Sequence, residues 1–241
     1  MGRGKIRFGF GKMGQRPAGT GLSDTPHQVV LTQPFCMDAT EVTVRAMGQC
    51  VTAGACEAPA APNRYKTYPA QLEHPVNQVT WHMARRFCAW QRKNLPTEAQ
   101  WEWAATGGQR IDYPWGSDRP TCEHADFTDG PIDHPAGDFG CHGGGPSPVG
   151  SHPRGDRILP TGRLHDLAGN VWEWVEDAYL PFTAEPATDP IAGKETGMHV
   201  VRGGGWNRSG AGIRAWFRGG AVTNYAVPGL GFRCVRNPKK R

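Results

Sequence analysis

The sequence predicts an α+β domain that is rich in loops. The chain of 241 residues contains 33 glycines and 21 prolines, which favour turns over long regular elements. Two stretches, 79–93 and 95–108, place apolar residues at helical intervals. The last part of the chain instead has short β-branched and aromatic runs between glycines, which is typical of short strands. A helix bundle or a doubly wound parallel sheet is therefore not expected.

Each helical stretch has a residue suited to begin it. Thr80 and Thr97 can cap the two helices, and Gly107 with Gly108 can end the second one. Earlier in the chain, residues 27–44 are enriched in Val, Thr and Phe, and 43–54 change to helical spacing. We expect a strand that leads into a short helix.

The rest of the chain gives weaker local signals. Residues 109–165 show no sustained period, so we expect a long loop held by a disulfide or a metal. No linker separates two halves of different composition, and we expect one domain over 27–236. Residues 1–26 form an N-terminal extension with a first strand region, and 237–241 form a basic tail.

Composition also excludes several classes of protein. The net charge of +5 comes partly from the basic tail, and no basic stripe predicts nucleic-acid binding. No apolar run is long enough to span a bilayer. The seven cysteines form no CxxC pair, which argues against zinc or thioredoxin chemistry. Their wide spacing favours a secreted or periplasmic location over the cytoplasm, although the N-terminus lacks an apolar signal core.

Nine short motifs occur in order along the chain. They are DATEVT (38–43), PVNQVTW (75–81), FCAW (87–90), LPTEAQWEWAA (95–105), YPWG (113–116), PVGS (148–151), LHDLAGNVWEW (164–174), VRGGGW (201–206) and LGFRCVR (230–236). Together they resemble the sulfatase-modifying-factor family, whose founding members are the formylglycine-generating enzymes. The resemblance implies a C-type-lectin-like fold with short antiparallel strands and two main helices.

The resemblance also implies a structural calcium ion. In the family, the segment matching HDLAGNVWEW binds calcium through one side-chain oxygen, two main-chain carbonyls and a glutamate. The matching residues here are Asp166, Gly169, Val171 and Glu173. Calcium takes six to eight oxygen ligands, which suits such a loop. The simpler interpretation is that the two tryptophans of GNVWEW are core residues and that the acids are solvated.

A second calcium site of the family would lie near ADFT. It would use Asp126 and the carbonyl of Phe127. The acid expected further on aligns with Cys141, although Asp138 is nearby. This departure weakens the match at the second site.

Disulfides are the other expected constraint. The resemblance implies a bridge between Cys88 of FCAW and Cys234 of GFRC. Proximity in the sequence suggests two further bridges, Cys50 with Cys56 and Cys122 with Cys141. Cys36 would then be a buried free thiol.

The formylglycine reaction itself is not expected. It needs two cysteines between RGG and GFRC that bind copper through thiolates, and residues 205–230 contain no cysteine. Gly205 stands where the family has serine, and Gly229 where it has asparagine. We expect no copper. The alternative is an oxidoreductase of the same family that acts on a peptide side chain, either formylglycine-generating-like or a metal-dependent oxidase without the cysteines. For the latter, His142 and His165 are the candidate histidines.

Another group resembling this family uses the same segment to display ligand-binding residues, and in retroelement-diversified receptors this segment is hypervariable. Aromatic and arginine side chains are typical of such surfaces. The candidate residues here are Trp206, Asn207, Arg208, Ser209, Trp216, Phe217, Thr223, Asn224, Tyr225 and Val227. In a simpler interpretation, Trp216 and Phe217 are the two faces of a strand. We expect a module that binds a protein, peptide or glycan, not nucleic acid, and that is compatible with a place in a larger protein.

Overall fold

A computed structural model of the chain describes residues 27–59, 63–128, 140–182, 185–193 and 197–237, and the backbone of two short strands near the N-terminus. Its helices are α1 (Val44–Thr52), α2 (Trp81–Trp90) and α3 (Glu98–Thr106), with 3₁₀ turns at Pro153–Gly155 and Gly210–Ile213. Its strands are β1 (Ile6–Arg7), β2 (Gly11–Lys12), β3 (Val29–Leu31), β4 (Cys36–Met37), β5 (Arg157–Leu159), β6 (Gly162–Leu164), β7 (Trp172–Ala178), β8 (Ala187–Thr188), β9 (Met198–Arg202), β10 (Gly219–Val222), β11 (Leu230–Gly231) and β12 (Val235–Arg236). None of the described helices is long and apolar enough to cross a membrane.

The helix starts follow the predicted capping chemistry. The Thr80 hydroxyl accepts a hydrogen bond from the Met83 backbone N–H, so α2 begins as expected. Thr97 and Gln100 form a reciprocal capping box at the start of α3. Gly107 ends α3 with a φ of 63°, a conformation that glycine adopts without strain. The three predicted helices are confirmed.

The main sheet has the strand order β10-β9-β7-β11. Strand β7 is almost fully buried along its length and pairs antiparallel with β9 and parallel with β11. Strands β3 and β8 also pair in parallel. The expectation of antiparallel strands is therefore wrong for these two pairs, because long connections bring distant strands together in the same direction.

The sheet separates two hydrophobic clusters. Trp172 and Trp174 pack with residues of α1 and α2 on one face. Val175 packs with Trp101 and the rest of α3 on the other face. The alternation of side chains along β7 supplies both clusters, so this strand holds the three helices in place.

Two expectations for the loops need correction. Residues 157–164, predicted as part of a long loop, form the β5–β6 hairpin. Trp216 and Phe217 lie in a turn and not in a strand, because a 3₁₀ turn and an irregular segment occupy 210–218. In both places contacts with distant parts of the chain, and not the local sequence, decide whether a strand forms.

Three disulfides join Cys88 to Cys234, Cys50 to Cys56 and Cys122 to Cys141. All three predicted pairings are confirmed. Cys36 is the free cysteine among the described residues and is half-buried. The first bridge ties α2 to the segment before β12, and the third closes the loop that was expected to need a constraint.

Candidate functional site

A surface cleft lies where β7 begins, and it consists of two neighbouring cavities. The first, of about 430 Å³, is here called the polar cavity; it is lined by Asn63, Arg64, Tyr65, Trp172, Trp206, Asn207, Arg208, Tyr225, Val227, Pro228 and Gly229. The second, of about 330 Å³, is called the apolar cavity; it is lined by Trp172, Val201, Arg208, Phe217, Arg218, Gly219, Gly220, Ala221, Tyr225, Val227 and Leu230. Cavities of this size suit small-molecule groups or single side chains.

The two cavities share one wall. Trp172, Arg208, Tyr225 and Val227 line both of them. The Arg208 guanidinium lies 5.6 Å from the centroid of the Trp172 ring, within cation–π range. Tyr225 is 53% exposed, an unusual exposure for a large aromatic side chain. The shared wall therefore presents an aromatic floor, a cation and a tyrosine to solvent.

Main-chain hydrogen bonds fix the cleft to the fold. The Trp172 N–H donates to the Gly229 carbonyl, and the Trp206 N–H donates to the Asn170 carbonyl, each at 2.8 Å. The Arg208 carbonyl accepts from the Thr128 N–H at 2.8 Å. The floor and both sides of the polar cavity are thus attached to the sheet and to the loop at 128.

Asn77 holds two walls of the polar cavity together. Its fully buried amide donates to the carbonyls of Tyr65 and Pro228, each at 2.7 Å. Its side-chain oxygen accepts from Thr67. Sequence reasoning did not assign Asn77 a role, although its place in the motif PVNQVTW was a signal for one.

The structure brings six of the ten predicted ligand residues to the cleft: Trp206, Asn207, Arg208, Phe217, Tyr225 and Val227. Ser209, Trp216, Thr223 and Asn224 do not line either cavity. The Trp216 indole donates instead to Asp112 at 2.9 Å, and the Thr223 main chain bonds to Gly197 and Trp81. The segment Asn63 to Tyr65 was missed, because no motif marks it and only the tertiary fold brings it near 206–208.

The two departures from the family pattern meet in this cleft. A Cβ atom on Gly205 would lie 3.3 Å from the Gly229 carbonyl oxygen and 3.3 Å from Trp172 Cδ1. A Cβ atom on Gly229 would lie 3.3 Å from Asn207 Oδ1. The two positions are therefore neighbours: Gly229 lines the polar cavity, and Gly205 is buried next to it beside Trp172.

The predicted calcium loop lies beside a buried ion pair. The Arg233 guanidinium donates to both oxygens of Glu173 at 2.7 Å, and the Trp101 indole donates to Glu173 Oε2 at 2.8 Å. Neither Arg233 nor Glu173 is exposed to solvent. The expectation that these acids are solvated is wrong, whereas the two tryptophans of GNVWEW are core residues.

The loop backbone is tightly constrained. Asp166 has a φ of 54°, and one oxygen of its carboxylate accepts from the Gly150 N–H at 2.6 Å. A Cβ atom on Gly169, which has a φ of 80°, would lie 2.3 Å from the Asp126 carbonyl oxygen. Only glycine fits at position 169, so the turn that carries its carbonyl is fixed by sterics.

Glu41 is a candidate calcium ligand that sequence reasoning missed. Both of its carboxylate oxygens are buried and lack a hydrogen-bond partner. Burial and the nearby Asp166 carboxylate raise the pKa of Glu41 well above its ordinary value, and Glu173 adds to this effect. If all three acids are ionised, three negative charges face one arginine, and a divalent cation would balance the remaining two.

A calcium ion at these residues would need mixed donors, since both Glu173 oxygens already accept hydrogen bonds from Arg233. Within the described part of the chain, no group of three Asp, Glu, His or Cys side chains is arranged to hold a metal ion by itself. The predicted set instead combines the carboxylates with the carbonyls of Gly169 and Val171, which are donors that calcium accepts. The orphaned oxygens of Glu41 are the observation that supports the fit.

The second predicted calcium site has protein donors around its acid. Asp126 is buried, and its two oxygens accept from the Cys141 N–H at 3.1 Å and from the Ser147 hydroxyl at 2.6 Å. The Phe127 carbonyl lies 3.3 Å from the Cys141 sulfur. Asp138 lies outside the described residues. The Cys122–Cys141 bridge holds this loop, and calcium here stays a prediction.

The two histidines considered for an oxidase have local partners. His142 Nε2 lies 3.3 Å from Nε2 of His152, whose pKa is lowered by burial. His165 Nδ1 lies 2.8 Å from Asp156, and this hydrogen bond raises the pKa of His165. Neither His142 nor His165 lines the cleft, so neither is placed to act on a molecule bound there.

Comparisons with known proteins agree with this description. A family model described as a sulfatase-modifying factor enzyme 1-like domain matches residues 4–238. The chain is 37% identical over 174 residues to inactive C-alpha-formylglycine-generating enzyme 2 of Mus musculus, covering 68% of this chain and 50% of that protein. It is 36% identical over 184 residues to the formylglycine-generating enzyme of Thermomonospora curvata, covering 68% and 56%. The chain therefore spans about half the length of these relatives.

Solved structures share the fold. PvdO of Pseudomonas aeruginosa has a TM-score of 0.76 at 21% identity, covering 97% of this chain and 94% of PvdO. Treponema denticola variable protein 1 has a TM-score of 0.68 at 21% identity, covering 97% and 95%. The predicted C-type-lectin-like, formylglycine-generating-enzyme-type fold is confirmed.

Proposed function

The chain belongs to the family of sulfatase-modifying factor enzyme 1-like domains, and we propose that it is a calcium-stabilised ligand-binding domain without formylglycine-generating activity. One observation carries this proposal. The cleft beside Trp172 is lined by exposed arginine and aromatic side chains and by no cysteine. Soft thiolates select the copper(I) that the formylglycine reaction uses, and the whole segment 205–230 offers none.

The cleft has the composition of a recognition surface. Arg208, Phe217 and Tyr225 are exposed around a tryptophan floor. Such residues bury a large area on binding at a modest cost in side-chain entropy. A relative named as an inactive formylglycine-generating enzyme supports the view that this family includes members without the reaction.

Calcium would stabilise the fold and not take part in binding. Asp166, Glu173 and Glu41, with the carbonyls of Gly169 and Val171, would hold the ion. Its charge would offset the buried carboxylates beside Arg233. Calcium together with three disulfides favours a secreted or periplasmic location.

Retroelement-driven diversification is a narrower form of the same proposal. Six of the ten candidate positions in 206–230 line the cleft, where sequence changes would alter recognition without touching the core strands. Amplicon sequencing of these codons across many isolates tests it, with codons 80–105 as the control window. Variation confined to 206–230 supports diversification, and a fixed segment indicates one ligand or one reaction.

An oxidoreductase acting on a peptide side chain is the second candidate. The relative from Thermomonospora curvata, which carries the enzyme's name, favours it. A direct comparison separates the two functions: cysteine-containing peptides are incubated with the protein, with and without copper, while oxygen uptake and aldehyde formation are followed. If the protein is a binding domain, we expect neither oxygen uptake nor aldehyde formation. Aldehyde formation that depends on the intact cleft would establish the enzyme instead.

Binding itself is tested by panning a random phage-displayed peptide library and a glycan array on the folded protein. We expect captured probes to lose affinity for an Arg208→Ala, Tyr225→Ala double variant. The control is Asn224→Ala, which changes an exposed residue of the same segment that lines neither cavity. Equal loss in the control would show that the captured probes bind elsewhere.

A further inference from the structure

The cleft has an excess of positive charge. Arg64 and Arg208 are exposed at the polar cavity, and no Asp or Glu lines either cavity among the described residues. Elsewhere on the surface, Arg45, Arg86 and Arg154 each pair with a glutamate. Arg64 instead contacts the Tyr65 hydroxyl, and Arg208 lies over the Trp172 ring. Two guanidinium groups are therefore left to attract an anion at the same opening.

The third arginine of the cleft does not add to this charge. Arg218 is buried and donates to Glu98 at 2.9 Å and to the Leu180 carbonyl at 2.7 Å. Its guanidinium also lies 4.2 Å from the centroid of the Phe182 ring. Because Glu98 compensates Arg218, the cleft cations that have no acidic partner among the described residues are Arg64 of the polar cavity and Arg208 of the shared wall.

The apolar cavity is shaped for one apolar side chain. Phe217, Ala221 and Leu230 contribute carbon surface to its lining. Gly219 helps to keep it open, because a Cβ atom there would lie 2.9 Å from Val201 and 3.2 Å from Trp172, which both line the cavity. At about 330 Å³ the space admits a large aliphatic or aromatic group.

Resting on the binding function proposed above, we propose that the occupant is an acidic linear peptide. A carboxylate lies in the polar cavity near Arg64 and Arg208, and a neighbouring apolar side chain fills the apolar cavity. The shared wall of Trp172, Arg208, Tyr225 and Val227 makes the two cavities adjacent, so nearby residues of one chain reach both.

The donor and acceptor inventory favours a peptide over a neutral glycan. Sugar hydroxyls are bound by acceptors as well as donors, and the carboxylate acceptors are missing from this lining. A neutral glycan can stack on the aromatic lining, but it carries no large aliphatic or aromatic side chain of the size that the apolar cavity admits. The carboxylate of a peptide, in contrast, accepts from the planar guanidinium fork of arginine in a bidentate manner.

Three matched peptides test the charge preference. A short fluorescent peptide with glutamate beside leucine is compared with versions that carry glutamine or lysine in place of glutamate. Binding is followed by fluorescence anisotropy at low and high salt. We expect the glutamate peptide to bind at least about tenfold more tightly than the glutamine peptide, which has the same shape, and to weaken as salt rises. The sequence around the pair comes from the panned library.

Cleft variants locate the interaction. Arg208→Glu and Arg64→Glu should each remove the preference for glutamate, since both residues are exposed and neither packs in the core. Phe217→Ala should reduce the preference for leucine over glycine while leaving the charge preference in place. Arg236→Glu, an exposed charge reversal away from the cleft, is the control and should change neither.

The outcomes separate this inference from the function on which it rests. Peptides selected without acidic residues, or equal affinity for the glutamate and glutamine peptides, would overturn the acidic preference and leave a binding domain. Capture of glycans alone would overturn the peptide class. Absence of any binder together with aldehyde formation would overturn the binding function itself.

Discussion

Gly205 lies directly behind Gly229 of the cleft, with 3.3 Å between an ideal Cβ of Gly205 and the Gly229 carbonyl oxygen. These are the two positions at which the resemblance to the family leads us to expect serine and asparagine. Both losses therefore affect one place, beside Trp172.

The surroundings of the two glycines predict a difference in stability. A Cβ on Gly205 meets a backbone oxygen and the Trp172 ring, which cannot move easily, whereas one on Gly229 meets the end of the exposed Asn207 side chain. We expect Gly205→Ala to lower the free energy of unfolding by about 1–3 kcal/mol and Gly229→Ala by less than about 1 kcal/mol. Denaturant unfolding measures both, and a reversed order would contradict the packing described for Trp172.

Calcium should reverse the sign of the stability change that a Glu41 substitution causes. In chelator, Glu41→Gln should raise the melting temperature, because it removes a buried carboxylate without partners. In excess calcium, wild type should melt roughly 5–10 °C higher than in chelator, from about 2.7 kcal/mol of binding at a hundredfold excess over Kd, and should then be more stable than the variant. Glu73→Gln, at an exposed position, is the control. If chelator leaves the melting temperature of wild type unchanged, the proposed calcium site is contradicted.

The disulfides should contribute unequally to stability. The Cys88–Cys234 bridge spans 146 residues and the Cys50–Cys56 bridge spans 6. In the chain-entropy model, these loops correspond to about 5 and about 2 kcal/mol. We expect the Cys88→Ala, Cys234→Ala double variant to lose about 3 kcal/mol more than Cys50→Ala, Cys56→Ala in denaturant unfolding. Equal losses would mean that the unfolded chain stays compact across the long loop.

Asp177 should make stability depend on pH. Burial raises its pKa to about 6, although N–H donors from Ala192 and Glu98 oppose the shift. The folded protein therefore holds this proton more tightly than the unfolded chain, so the contribution is present below about pH 4 and is lost as pH rises to about 6.

The matched variant for this effect is Asp177→Asn, which does not titrate. The stability of wild type relative to the variant should fall by on the order of 2 kcal/mol between pH 4 and pH 7. Other acids titrate in both proteins and cancel in the comparison. Unfolding curves at several pH values measure it, and parallel profiles for the two proteins would show that Asp177 is ionised throughout.

The sequence by itself determined the features that depend on neighbouring residues and on family motifs. Thr80 and Thr97 could be assigned as helix caps because a cap needs only the residues of the next turn. The core role of Trp174 and the Cys88–Cys234 pairing followed from motifs that carry the family fold. The lack of cysteine in 205–230 was also visible in the sequence alone.

Only the tertiary structure decided which distant side chains meet. Glu41 lies beside Asp166, and Asn77 joins the carbonyls of Tyr65 and Pro228, across separations that no local pattern encodes. Trp216, predicted as a ligand residue, donates to Asp112 instead, whereas Arg64, which belongs to no sequence motif, lines the cleft. Capping and periodicity act within a few residues of the chain. Buried charges and the shape of the cleft depend instead on the paths of the long loops, and the packing of the whole chain sets those paths.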